Sequence, residues 1–121
     1  MKNLRTLAEV SHWYWEISTL QHTAEIFEHR LDSLASSPLA GNRKESVTTI
    51  LTQLHDHQKE LQDIQLAMNE YNTLSVAPEK ERNGKLYQLE TILRTKVQQE
   101  IEAFTQVKNQ YFCLIQDMLL A

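Results

Sequence analysis

Residues 10–34 read VSHWYWEISTLQHTAEIFEHRLDSL, and this segment carries the clearest structural signal in the chain. Its apolar positions recur every three or four residues without a break, at Val10, Trp13, Ile17, Leu20, Ala24, Phe27, Leu31 and Leu34. This spacing is the seven-residue repeat of a helix that packs one apolar seam against other helices. The segment therefore predicts a helix of about seven turns.

Two further segments carry the same kind of spacing. The second keeps the repeat with one polar interruption, His57, at Val47, Ile50, Leu54, His57, Leu61, Ile64, Met68 and Tyr71. The third segment is less regular, because Leu89, Leu93, Val97 and Ile101 stand four residues apart. Consecutive steps of four drift away from the seven-residue repeat, so we expect a locally relaxed supercoil in this part of the third helix.

Glycine and proline separate the three segments. The chain has only two residues of each type, Pro38 and Gly41 after the first segment and Pro78 and Gly84 after the second. Both residue types disfavour a helix interior. The start of the third helix stays open, because Pro78 favours an early start whereas the pair Asn83-Gly84 favours a later start or a break.

Long helices joined by short connections imply antiparallel neighbours. We therefore expect one all-α domain over residues 1–121, an antiparallel up-down-up three-helix bundle with coiled-coil packing. Its helices are predicted at about 3–35, 43–74 and 85–120. The alternative is a four-helix or domain-swapped bundle completed by dimerisation. So few turn-forming residues disfavour a many-stranded barrel and leave no glycine-rich loop for a phosphate.

Charge and cysteine content narrow the expected partners and location. With 12 basic and 16 acidic residues the net charge is −4, and no basic face indicates a nucleic-acid partner. The single cysteine, Cys113, cannot form an internal disulfide. Together with an N-terminus that lacks a signal-peptide core, it favours the cytoplasm. The apolar stretch 111–121 contains Asp117 and is shorter than the ~20 residues of a membrane span, so we expect no membrane partner.

Histidines are the candidates for metal binding. His22, Glu25 and His29 share one face of the first helix, but the two histidines stand about 10.5 Å apart along its axis. A single zinc ion strains to bridge that separation. His57 lies on the second seam, where we expect a half-buried side chain with a hydrogen-bonded partner. These four residues are the metal candidates, and the favoured interpretation is that the protein binds no metal or other cofactor.

No combination of residues identifies a reaction. Cys113 has no cationic neighbour in sequence to activate its thiol, so we expect a small buried apolar residue there. Glu90 and Glu100 lie beside the third seam and are interpreted as flanking positions. We therefore expect a protein that is not an enzyme. A hydrolase or transferase would need a pocket that joins His57 to a carboxylate.

A second stripe lies on the side of the first helix opposite the seam. It has steps of three and four residues, at His12, Trp15, Thr19, His22, Ile26 and His29. Outward positions of a lone bundle are normally polar, whereas Trp15 and Ile26 are of the types that interfaces bury. We predict that His12, Trp15 and Ile26 belong to a protein-interaction surface.

The C-terminal stretch is apolar on more than one helical face. Phe112, Leu119 and Leu120 form a patch that calls for a partner unless the chain itself covers it. The stripe and the patch together predict a non-enzymatic helical interaction or adaptor module that self-associates as a homo-oligomer or binds another protein. The alternative is a helical bundle that binds a metal or small ligand through its histidines.

Two short patterns in the first helix resemble small uncharacterised helical proteins of Bacteroidetes bacteria. They are His-x-x-Trp at residues 12–15 and Glu-Ile-Phe-x-x-Arg-Leu at residues 25–31. The resemblance covers this one helix. It implies a cytosolic helical bundle with no established activity, and it transfers no site residues.

Overall fold

The protein is all-α over residues 4–82 and 84–120, which the computed structural model describes, with side chains from residue 8 onward. This part of the chain contains helices and turns but no strand. Four α-helices are present, α1 (Leu4–Ala35), α2 (Lys44–Ser75), α3 (Glu79–Arg82) and α4 (Lys85–Leu120), and a 3-10 helix (Pro38–Arg43) connects α1 to α2. The prediction of an all-α chain is confirmed.

The long helices α1, α2 and α4 lie within one residue of the predicted segments at every described end. Residue 3, the predicted start of the first helix, lies outside the described residues. The difference from prediction is the short helix α3, which occupies the stretch where the boundary was open. Every helix in the described part lacks an apolar run long enough to cross a bilayer.

Helix α3 is a short, separate helix because a helix-start signal at Pro78 and a helix-stop signal at Gly84 both act. The Pro78 carbonyl accepts hydrogen bonds from the amides of Glu81 at 2.9 Å and Arg82 at 3.3 Å, and proline followed by acidic residues suits a first turn. Gly84 then adopts a φ of +80°, a left-handed conformation that favours glycine and interrupts the helix. Asn83, the other residue of the predicted break, lies outside the described residues.

Buried side chains form two core clusters, and each cluster contains residues of α1, α2 and α4. The first core cluster comprises Ala24, Phe27, Leu31, Val47, Ile50, Leu54, Phe104, Val107, Tyr111 and Leu114. The second comprises Val10, Trp13, Ile17, Leu61, Ile64, Met68, Tyr71, Leu93 and Val97. Leu20 packs against both clusters. The apolar seams of all three long helices therefore meet one another along their length.

The seam of α4 is more regular than predicted. Its buried residues are Leu93, Val97, Glu100, Phe104, Val107, Tyr111 and Leu114, which keep alternating steps of four and three. Ile101 was expected on the seam but is only partly buried, and Glu100 holds the seam position instead. The predicted drift from the repeat was wrong. Glu100 is polar, but it occupies the seam position, so the seven-residue spacing continues through it.

Cys113 corrects a second expectation, because its side chain is exposed rather than buried. Tyr111 and Leu114 are the seam residues of this turn and point into the first core cluster. Position 113 therefore lies off the seam. The high apolar content of the C-terminal stretch concealed this periodicity.

Candidate functional site

The stripe predicted on α1 lies on the outside of the molecule. Trp13 and Ile17 enter the second core cluster, whereas Trp15 is 63% exposed and Ile26 37% exposed. The stripe's polar members, His12, Thr19, His22 and His29, are exposed as well. No other helix in the described part of the chain covers this face, which leaves a tryptophan in water.

The exposed indole of Trp15 has one aromatic neighbour. The ring of His12 stacks on the indole at a centroid separation of 6.2 Å and an interplanar angle of 22°. His12 Nε2 in turn lies 3.2 Å from a carboxylate oxygen of Glu16. Thr19 Oγ1 donates to the Trp15 carbonyl over 2.8 Å.

The predicted C-terminal patch is also exposed. Phe112 is 50% exposed, Leu119 80% and Leu120 78%. Phe112 packs edge-on against Phe27 of α1, with centroids 5.6 Å apart, which places Phe112 beside the Ile26 end of the stripe. Leu119 and Leu120 follow about two turns later on α4. All six predicted interaction residues therefore lie at the surface: His12, Trp15, Ile26, Phe112, Leu119 and Leu120.

Other large apolar side chains are exposed outside the stripe and the patch, at Leu39, Leu66, Val76, Tyr87 and Ile92. Isolated residues of this kind are normal on any protein surface and need no partner. The stripe and the patch differ from them because the members of each recur at helical spacing on one face of their helix, and Phe112 contacts the neighbour of Ile26 on α1. The isolated residues serve as controls for the experiments below.

A polar pair lies in the middle of the core. His57 Nδ1 of α2 hydrogen-bonds Glu100 Oε1 of α4, and the two side chains are 15% and 8% exposed. The His57 ring also meets Phe104 edge to face, at a centroid separation of 5.8 Å and an interplanar angle of 83°. His57 therefore has the buried partner that the sequence predicted.

The pair separates the two core clusters. Along α2, His57 stands between Leu54 of the first core cluster and Leu61 of the second. Along α4, Glu100 stands between Phe104 and Val97 in the same way. The partner itself was missed, because Glu100 was interpreted as a flanking residue. Extending the seven-residue repeat back from the C-terminal seam of α4 would have placed Glu100 at a core-facing position.

The histidines do not assemble into a metal centre. Over the described ranges, no group of three or more His, Cys, Asp or Glu side chains could hold a metal ion. His22, Glu25 and His29 are exposed along α1. His55 points toward α1 and pairs with Glu28, on a different side of α2 from His57. The structure thus joins His57 to one carboxylate and gathers no ligand set around it.

A groove lies where α2 begins and α4 ends, lined by Glu45, Thr49, Ile50, Gln110, Cys113 and Asp117 among others. Neither His57 nor Glu100 lines it. The pocket that a hydrolase or transferase hypothesis requires, with His57 and a carboxylate in its wall, is therefore not this groove.

An ion-pair network ties α1 to α4 near the second core cluster. Arg94 donates to both carboxylate oxygens of Glu9 at 2.9 Å and to Glu90 at 3.0 Å. These bonds raise the pKa of the guanidinium above its ordinary value. The Arg94 guanidinium also lies 5.8 Å from the ring centre of Trp13. The network is exposed and covers the edge of the core, so we interpret it as structural.

Comparison with family models, with curated proteins and with solved structures finds no match to this chain. The resemblance of the first helix to small helical proteins of Bacteroidetes therefore stays a prediction.

Proposed function

We propose that this protein is a non-enzymatic helical interaction module that self-associates through the outer face of α1 and the apolar end of α4. The observation that carries the proposal is the exposure of Trp15 on a helical face that the rest of the described chain leaves uncovered. Tryptophan is enriched among the residues that dominate interface energies. Phe112, Leu119 and Leu120 extend the apolar surface toward the end of α4.

The proposal includes an antiparallel up-down-up arrangement of α1, α2 and α4. In its support, the first core cluster draws on residues 24–31, 47–54 and 104–114, and the second on residues 10–17, 61–71 and 93–97. The order of the clusters along the chain thus reverses from each long helix to the next. Each cluster draws on all three helices of one chain, which favours this bundle over one completed by domain swapping or a fourth helix.

In this proposal the buried pair has a structural role. His57 and Glu100 lie between two apolar clusters and bind each other, so neither side chain is presented to a substrate. A cytoplasmic location fits the exposed thiol of Cys113, because free thiols persist in reducing compartments.

Sedimentation velocity from low to high micromolar concentration tests the proposal. We expect the sedimentation coefficient of the native chain to rise with concentration. The Trp15→Ala variant should need a higher concentration to associate, because it loses the largest exposed side chain of the stripe. Leu66→Ala is the matched control, since Leu66 is 61% exposed but lies on α2. A native chain that stays monomeric throughout would overturn the self-association.

A further inference from the structure

The outer stripe of α1 is symmetric about its own centre. From its N-terminal end the residues are His12, Trp15 and Thr19, and from its C-terminal end they are His29, Ile26 and His22. Both readings give a histidine, a large apolar residue and a polar residue. The steps of three, four, three, four and three residues are likewise unchanged on reversal. A helix with this pattern is complementary to an antiparallel copy of itself.

This symmetry matters because a two-fold dimer uses the same patch on both copies, so that each contact occurs twice. Placing Trp15 against Ile26 of a second copy also places Thr19 against His22 and His12 against His29. A large side chain then meets a smaller one in both apolar layers, as well-packed helix interfaces require. A parallel pairing would instead stack Trp15 on Trp15 and create three layers of facing histidines.

The charges beside the stripe complement one another in the antiparallel register. Arg30 of one copy then lies about two residues, or ~3 Å, along the axis from the position facing Glu9 of the other, whose carboxylate also binds Arg94 of its own chain. Within its own chain Arg30 makes only a long contact among the described bonds, from Nη1 to the Tyr111 hydroxyl at 3.5 Å. With the same two-residue offset, Glu16 lies beside the uncharged Thr23 of the second copy, and Glu25 lies beside the uncharged Ser18. The flanking positions therefore set no like charges against each other.

We infer that two copies of this chain associate antiparallel through α1, about a two-fold axis between Thr19 and His22, with Trp15 of each copy against Ile26 of the other. This geometry rests on the proposed self-association and specifies the surface that performs it. The patch at Phe112 lies beside the Ile26 end of the stripe, where it meets the copy that covers Ile26.

Cysteine cross-linking tests the register directly. The Thr19→Cys and His22→Cys variants are prepared separately in a Cys113→Ser background, which removes the native exposed thiol. Each is oxidised alone and as an equal mixture, and the products are separated by mass. We expect the mixture to form the heterodimer, cross-linked between position 19 of one chain and position 22 of the other, in clear excess over either homodimer, because disulfides require close Cβ atoms. A parallel pairing gives the reverse result, since each variant then cross-links with itself.

A collision control and a second readout make the outcomes distinct. Thr95→Cys, which replaces an exposed threonine on α4, should give only background cross-linking when it is mixed with Thr19→Cys. Sedimentation of the reduced variants reports association independently of the disulfide. Variants that associate without a preference for the heterodimer overturn the antiparallel geometry and leave the proposed function standing. A native chain that does not associate overturns both.

Discussion

His57 on α2 and Glu100 on α4 pair across the middle of the core, and each occupies a position that the seven-residue repeat of its helix reserves for an apolar side chain. Both groups lose water on folding, and within the described part of the chain each recovers a hydrogen bond from the other. The pair differs energetically from the surrounding leucines. Removing one partner leaves the other buried without its hydrogen bond, whereas removing both leaves no polar group unpaired.

The first prediction concerns this asymmetry. Glu100→Leu and His57→Leu should each lower the free energy of unfolding by about 3 kcal/mol, because each leaves one buried polar group without its partner. The double variant should recover most of that loss. Urea unfolding followed by circular dichroism, arranged as a double-mutant cycle, measures the coupling.

Glu102→Leu is the control for the cycle, since Glu102 is on the same helix but exposed. Its effect should stay within about 0.5 kcal/mol. If the double variant lost the sum of the two single losses, His57 and Glu100 would not be energetically coupled, and our account of the polar layer would be wrong.

The register of α4 shows what a single sequence conveys about a helical core. Hydropathy favoured Ile101 as the seam residue, but only Glu100 keeps the spacing between Val97 and Phe104. Spacing is the stronger signal here because the two neighbouring helices fix where the seam runs. Which residue of α4 meets His57 depends on the axial shift between α2 and α4, and neither repeat alone contains that shift.

The exposed stripe of α1 was easier to anticipate than the buried pair. Once Trp13 and Ile17 define the seam, helical geometry alone puts Trp15 on the far side of α1. Cys113 was wrongly expected to be buried because its neighbours are almost all apolar, although its spacing from the seam residues Tyr111 and Leu114 places it off the seam. Helix α3 lies in the stretch where the boundary was left open. The early start at Pro78 and the break at Gly84 were both considered there, but the apolar pattern does not report a helix that depends on local capping.

Alkaline pH provides the second prediction. Burial raises the pKa of Tyr71 above its ordinary value of 10.0, and the nearby carboxylate of Glu90 raises it further. The folded state therefore holds this proton more tightly than the unfolded state. Stability from this group is fully present below pH 10 and is lost as the pH rises through the folded pKa. The free energy of unfolding should fall across this range.

Tyr71→Phe should flatten that alkaline decline, because the variant removes the titrating group. The comparison is made by urea unfolding at a series of pH values. Tyr87→Phe serves as the control, since Tyr87 is exposed and its replacement should leave the slope unchanged. An equal slope in the native chain and in Tyr71→Phe would assign the alkaline loss to other groups.

The third prediction tests the correction at Cys113. Because the thiol is exposed, a thiol reagent should label the folded protein to one equivalent per chain without denaturant. Cys113→Ser should abolish labelling and change the free energy of unfolding by less than about 0.5 kcal/mol, as expected of a surface position. If labelling required urea, the thiol would be buried in the folded protein, and the correction at Cys113 would be wrong.

The fourth prediction separates association from stability at the end of α4. Leu119→Glu and Leu120→Glu should weaken self-association in sedimentation experiments, because a carboxylate in an apolar contact loses its water without gaining a partner. Both leucines are exposed in the single chain, so the urea midpoint at low protein concentration should stay close to that of the native chain.

Ile92→Glu is the matched control, since Ile92 is 49% exposed on the same helix but away from the patch. Equal weakening by all three variants would point to a general effect of added negative charge and would remove the C-terminal patch from the interface. Weakening by Leu119→Glu and Leu120→Glu alone would instead tie this patch to the same assembly as Trp15.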